Sequence, residues 1–131
     1  MPKVLISDSL SPRAADIFRE RGLEVDMKTG MSTDELISRI GGYDGLAVRS
    51  ATKVTPEVLE AATNLKVVGR AGIGVDNINI EAASARGIVV MNTPFGNAIT
   101  TAEHAIAMMF SLARQIPLAD RLTQNGKWEK R

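Results

Sequence analysis

Short β-branched runs alternate strictly with helical patterns from residue 4 to residue 91, and nothing else in the chain limits its fold as much. Val4-Leu5-Ile6-Ser7-Asp8 reads as a buried strand. Ser11 and Pro12 then open a helix whose apolar positions Ala15, Ile17 and Phe18 are assigned to one face, with Gly22 as its stop. Leu23 to Met27 alternates like a half-exposed strand, and Ser32 or Thr33 caps a helix with Leu36, Ile37 and Ile40 as its core stripe. Gly41-Gly42 ends that helix. The cycle continues with a strand and turn at Gly45 to Ser50, and a helix from Thr55-Pro56-Glu57 through Ala62. A strand at Leu65 to Arg70, a short helix at Ile80 to Ala85 stopped by Gly87, and a strand at Ile88 to Met91 complete it. No sequence repeat or low-complexity tract accompanies the rhythm.

Alternation of this kind implies an α/β fold, with a parallel sheet, right-handed crossovers and helices on both faces. Five strands with a central first one suggest the flavodoxin-like order 2-1-3-4-5. The 131 residues suffice for one domain and not comfortably for two. Sixteen basic against fifteen acidic side chains give a formal charge of +1, which offers no field for nucleic acid or an anionic membrane surface. The absence of cysteine excludes disulfides, thiolate zinc sites and cysteine nucleophiles. The apolar run before Asp8 is too short for a signal peptide, so a cytoplasmic location is the default expectation.

A different segment follows the fifth strand. From Thr100 to about Ile116 the pattern is helical and apolar on most of its circumference, through Ala102, Ala105, Ile106, Met108, Met109, Phe110, Leu112 and Ala113. Such a helix calls for burial on several sides, and the preceding domain supplies at most one. It is too short for a membrane span and carries Glu103 and His104. The tail from Asn125 to Arg131 reads as a basic connector, which leads us to expect that the natural chain continues.

Ligands of open parallel sheets gather beyond the carboxyl ends of the strands. Here those ends are Arg49-Ser50 after strand three, Arg70-Ala71-Gly72-Ile73-Gly74 after strand four, and Asn92-Thr93-Pro94-Phe95-Gly96-Asn97 after strand five. Guanidinium groups, hydroxyl and amide donors, and glycines that admit a ligand to backbone N–H groups suit carboxylates and phosphates. A single arginine at such a place more often makes a surface ion pair. Two after adjacent strands, each followed by small residues, leave the ion-pair and ligand readings level. Gly69-x-x-Gly72-x-Gly74 is not a dinucleotide fingerprint, because Asn77 stands where the third glycine belongs and the next helix begins later. No other segment fits the fingerprint, and no Walker pattern occurs. His104, the only histidine, has no serine or cysteine paired with it, which favours a packed histidine with one hydrogen-bonded nitrogen over a catalytic base. The ligand cluster that a metal needs is missing.

At these loops the chain resembles the amino-terminal part of the D-isomer-specific 2-hydroxyacid dehydrogenases. The resemblance is carried by GLAVRSATKVT (45–55), LKVVGRAGIGVDN (65–77), GIVVMNTP (87–94), residues 97–104 and the tail at Gly126-Lys127-Trp128-Glu129, and it covers essentially the whole chain. It implies a two-domain NAD enzyme whose flavodoxin-like substrate domain is interrupted by a nucleotide-binding domain. Residues 1–97 would then be the front of the substrate domain and residues 98–131 the start of the NAD-binding one. The apolar helix would be the first element of the latter, often part of a dimer interface.

By resemblance Arg49, Ser50 and Arg70 help bind substrate, the backbone around Gly72 and Gly74 lines the site, and Asn97 helps hold the substrate carboxylate. Ile73 matches a position beside the nicotinamide, and His104 lies close to that pocket. The family's GxGxxG loop, its ribose-binding acid and its catalytic arginine, glutamate and histidine have no counterpart here. The chain is therefore expected to resemble a front fragment, with no catalytic residue of its own and no activity alone. Arg49 with Arg70 favours a phosphorylated substrate over glyoxylate or lactate, and a homodimer or higher homo-oligomer is expected. The alternative from another class is a flavodoxin-like binding or signalling module. A receiver domain would want acidic residues after strands one and three, and only Asp8 is present, since Arg49 and Ser50 follow strand three.

Overall fold

The computed structural model describes residues 1–128, so Glu129 to Arg131, the end of the basic tail, lie outside the described residues. The chain divides into two compact units, the first Met1–Gly96 and the second opening at Asn97.

In the first unit β1 (Lys3–Ile6), β2 (Glu24–Met27), β3 (Gly45–Val48), β4 (Val67–Arg70) and β5 (Val89–Met91) form one sheet. Its order is β2-β1-β3-β4-β5, as expected, and every pairing is parallel. The register pairs Ile6 with Ala47 and Val48 with Arg70, which brings the carboxyl ends of β1, β3 and β4 to one edge. The central strands β1 and β3 are buried almost throughout, which is why they read as unbroken apolar runs.

The connecting helices are α1 (Pro12–Glu20), α2 (Thr33–Ile40), α3 (Pro56–Ala61) and α4 (Ile80–Ala85). Their starts are set by local chemistry. Ser32, not Thr33, caps α2 in a reciprocal box: its hydroxyl accepts from the Glu35 N–H at 3.2 Å, and Glu35 accepts from the Ser32 N–H at 3.0 Å. Thr55 caps α3 ahead of Pro56, and Asn79 caps α4 through the Ala82 N–H at 2.8 Å. Gly22 follows α1 at φ +78°, a left-handed conformation that most side chains resist.

Right-handed crossovers explain where the helices lie. The step from β1 to β2 runs one way along the sheet, and the later steps run the other way. Accordingly α2, α3 and α4 bury Leu36, Ile40, Val58, Leu59 and Ala83 with Leu5, Leu46, Val48 and Val68 in the main core. On the opposite face α1 alone supplies Ala15 and Phe18 against Ile6, Ala47 and Val25. Helix α1 departs from expectation at Ile17, which is exposed, because the narrow strip that α1 covers takes Ala15 and Phe18 only. The second face is left open over β4 and β5, where Val89 and Met91 are 57% and 58% exposed.

The second unit contains α5 (Ala98–Ala113) and α6 (Ile116–Gln124). The single helix expected to run to about Ile116 is thus shorter, and a second helix follows it. Gln115 adopts φ +51° between them and breaks the run, and Pro117 stands in the first turn of α6. Helix α5 has no buried residue among the described ones, so the burial its composition calls for is not met in this chain. No described helix is long and apolar enough to cross a membrane.

The core assignment predicts a contrast between two apolar positions. Leu46→Ala, at a site 1% exposed, should cost roughly 2–5 kcal/mol in urea unfolding, whereas Ile17→Ala should change stability by less than about 0.5 kcal/mol.

Candidate anion-binding site

The edge formed by β1, β3 and β4 carries a polar network built on two buried side chains. Asp8, at the end of β1, is 5% exposed, and both carboxylate oxygens face the loop after β3. Its Oδ2 accepts from the Arg49 N–H at 2.6 Å and the Thr52 N–H at 3.2 Å. Its Oδ1 accepts from the Thr52 hydroxyl at 2.6 Å and from the same N–H at 3.1 Å. Since that hydroxyl donates to Asp8, the Ser7 hydroxyl, 2.9 Å away, must donate to Thr52.

Asn77, also 5% exposed, reaches the same loop from the segment after β4. Its amide nitrogen donates to the carbonyls of Arg49 and Thr52, each at 2.7 Å. Those two acceptors fix which end of the amide is nitrogen. Its backbone carbonyl accepts from the Val54 N–H at 2.8 Å, inside a short parallel bridge between Val54 and Ile78, while its side-chain oxygen is buried without a partner among the described residues.

Within this frame the sequence-predicted residues fall into place unevenly. Arg70 meets Arg49 at the backbone: the Arg70 Nε–H donates to the Arg49 carbonyl at 3.2 Å. The Arg70 side chain is 12% exposed, and its Nη1 lies 3.7 Å from Asp76, which is itself largely in solvent. The surface ion pair therefore exists for Arg70, but in a loose form. Arg49 makes no ion pair among the described residues; its Nη1 donates to the Ser9 carbonyl at 3.4 Å. Ser50 is exposed beside it.

Gly72 and Gly74 line the Arg70 side chain. A Cβ on Gly72 would sit 3.5 Å from the guanidinium carbon, and one on Gly74 would sit 3.0 Å from both Nη1 and the Asp76 carboxylate. These glycines make room for an arginine, not for a pyrophosphate, and the chain goes on to a six-residue helix well beyond them. Ile73 is 43% exposed, with its carbonyl accepting from Asn92 at 2.7 Å. Thr93 binds the Gly72 carbonyl through its N–H at 2.9 Å and its hydroxyl at 3.2 Å, tying the loop after β5 to the loop after β4. Asn97 lies in the second unit, where it precedes α5 without a side-chain capping bond. His104 sits on α5 and is exposed, not packed as expected, since α5 buries none of its residues.

The strand ends thus carry the Arg49 and Arg70 side chains and the exposed Ser50 hydroxyl, donor types that suit a small anion. Of the carboxylates nearby, Asp8 is engaged as an acceptor through both oxygens, and exposed Asp76 lies 3.7 Å from Arg70 Nη1. No cluster of metal-ligating side chains exists among the described residues. In the sequence Asp8 stands as an isolated acid and Asn77 as the residue where a fingerprint glycine is missing, and neither has a local pattern that marks it as part of this frame.

The family of D-isomer specific 2-hydroxyacid dehydrogenases, catalytic domain, matches residues 4–125, and this chain belongs to it. Among particular relatives, the chain is 57% identical over 98% of its length to a D-3-phosphoglycerate dehydrogenase of Archaeoglobus fulgidus. It is 53% identical, over the same share, to the D-3-phosphoglycerate dehydrogenase of Homo sapiens. It spans 24% of the length of each of these relatives. An NAD+-bound 3-phosphoglycerate dehydrogenase of Entamoeba histolytica aligns at TM-score 0.74 and 36% identity, over 84% of this chain and 38% of that one.

The electrostatics of Asp8 lead to a prediction. Burial, the largest single influence, raises its pKa, but the Thr52 hydroxyl and the N–H groups of Arg49, Thr52 and Ala51 together bring it below the ordinary 3.8. A group depressed on folding stabilises fully above its unfolded value and loses that contribution as pH falls through its folded value. Asp8→Asn should therefore cost roughly 1.5–3 kcal/mol at neutral pH. The gap from wild type should narrow as the pH falls below 3.8, which chemical unfolding at several pH values will check.

Proposed function

We propose that this chain is the amino-terminal, substrate-binding part of an NAD-dependent dehydrogenase that oxidises 3-phosphoglycerate to 3-phosphohydroxypyruvate, the opening step of L-serine synthesis, in the cytoplasm. The observation that carries the proposal is the docking of Arg70 on the Arg49 carbonyl, which sets two guanidinium groups at adjacent strand ends. A phosphorylated 2-hydroxy acid has two anionic groups to offer them, whereas glyoxylate or lactate has one. The relatives named D-3-phosphoglycerate dehydrogenase support the same substrate.

In this reading Arg49, Ser50 and Arg70 bind the substrate's anionic groups, and the backbone at Gly72 and Gly74 lines the site. Asn97 contributes to holding the carboxylate. NAD, when bound to the whole enzyme, supplies the hydride acceptor, and Ile73 borders its nicotinamide. The cofactor's phosphates are held elsewhere, since the glycines after β4 are occupied by Arg70. Residues 1–97 are assigned to the substrate domain and residues 98–131 to the start of the NAD-binding domain. The open sheet face at Val89 and Met91 supports a longer enzyme, because parallel sheets are normally covered on both sides.

Calorimetry on this chain should detect no appreciable NAD binding; micromolar affinity would overturn the assignment of the cofactor site to other parts of the enzyme. In an enzyme of the relatives' full length that carries these residues, Arg49→Ala and Arg70→Ala should each lower kcat/KM for 3-phosphoglycerate. The loss of one charge-assisted hydrogen bond is worth roughly 1.5–3 kcal/mol, a ten- to hundredfold effect, and NAD affinity should change little. Unchanged kinetics in either variant would return that arginine to a structural role.

A homo-oligomeric enzyme is part of the proposal. Met108, Met109, Phe110 and Leu112 on α5 are all more than half exposed, a patch of the kind that seeks a partner. Light scattering at increasing concentration should show self-association, most simply as a two-fold dimer, that Met109→Asp with Phe110→Lys abolishes. A wild-type chain that stays monomeric throughout would remove α5 from the interface.

A further inference from the structure

We propose that Asp8 and Asn77 are positioning residues that set both arginines of the anion site through the backbone of one residue, Arg49, by holding the two peptide groups that flank its Cα. The inference rests on the substrate reading above and concerns residues which that reading does not use. Arg49 has both backbone polar groups held by buried side chains. Its N–H is on Asp8 and its carbonyl is on Asn77. Thr52 is held in the same way, with its N–H and hydroxyl on Asp8 and its carbonyl on Asn77. The loop is therefore pinned at both ends from opposite sides, while Ser50 and Ala51 between the pins remain exposed.

The Arg49 carbonyl has a second donor, the Arg70 Nε–H at 3.2 Å. That bond is the one hydrogen bond of the Arg70 guanidinium among the described residues, its ion pair with exposed Asp76 being longer and loose. A shift of the Arg49 peptide would thus displace the root of one arginine and remove the anchor of the other.

The residue types fit this role and fit badly with a merely space-filling one. A carboxylate is the short side chain that accepts from several donors with both oxygens; an asparagine at position 8 would offer one acceptor and turn an NH2 toward donors. A buried negative charge beside an anion site opposes anion binding unless its geometry is needed. Asn77 offers two N–H donors in a fixed plane, and they meet two carbonyls three residues apart in the chain. Of the Asn77 side chain only the amide nitrogen is engaged; its oxygen is buried without a partner among the described residues, so the grip on the loop rests on the two N–H bonds.

The test uses the 15N-labelled chain, with the Arg70 Nε–H resonance as a reporter that needs no ligand. In wild type that proton should exchange slowly at mildly acidic pH. Asn77→Ala should speed its exchange tenfold or more and weaken 3-phosphoglycerate binding, followed by titration, by about tenfold, the loss of one such hydrogen bond. Amides of β1 and β3 should keep their protection. Thr52→Val, which removes one donor to Asp8, is the milder variant and should act in the same direction if Asn77→Ala fails to fold. Unchanged Arg70 exchange in a folded variant overturns the positioning role, whatever happens to affinity. A wild-type chain that binds no 3-phosphoglycerate, with Arg70 still freed by the substitutions, keeps the positioning role and overturns the substrate reading.

Discussion

Parallel pairing is the constraint on which the rest of this molecule depends. A parallel strand cannot return by a tight hairpin, so each connection is a helix crossing over the sheet. All strands then end at the same edge. That geometry, and not any local motif, brings residues 8, 49 and 70 together, although they lie far apart in the chain. It also makes β1 and β3 central, buried on both faces and therefore rigid. A ligand site at their ends inherits that rigidity only if the loops leaving them are tied down.

Tying them down raises a polar problem. Backbone groups just past a strand have left the ladder, and when they are buried each needs a partner. At this edge the partners are side chains. Asp8 satisfies N–H groups of the loop after β3, and Asn77 satisfies its carbonyls. The carboxylate stays ionised because its donors outweigh the cost of burial. A different polar cluster serves the other end of the strands. There Lys3 meets Glu24 at 3.2 Å and Asp26 at 3.1 Å, and the Tyr43 hydroxyl donates to Asp26 at 2.7 Å. That cluster joins strand starts and lies more in solvent, so its ion pairs hold less.

Much of this could be read from the residues alone, and the limits have physical causes. The strand order agrees with the one that five alternating strands with a central first one suggest, and the starts of α2 and α3 are legible in Ser32 and Thr55-Pro56, whereas the Asn79 cap of α4 is not part of that reading. Arg49 and Arg70 stood out because charge directly after a buried strand is costly unless it has a use. Asp8 and Asn77 did not, since their partners are backbone groups many residues away and such bonds leave no local pattern. Ile17 was misplaced because helical spacing gives a stripe but not its width, and a lone helix on one face covers only a narrow strip. The break at Gln115 has one local signal, Pro117 in the first turn of α6, while the left-handed φ at a non-glycine residue leaves no mark in the sequence.

The order 2-1-3-4-5 also determines which part of the sheet is left open. With right-handed crossovers, the single step toward β2 places one helix on its face, while three steps toward β5 place three helices on the other. The first face is then covered at β1 and β2 by α1, and its far half is covered by no helix of residues 1–96. Val89 and Met91 occupy that half, and a Cβ on Gly69 would meet nothing within 4 Å there. The exposure is not a flaw of local sequence, since valine and methionine are ordinary residues for a covered strand. It follows from handedness and strand count. The same steps that gather the arginines at one edge therefore leave an apolar half-face that no helix of residues 1–96 covers.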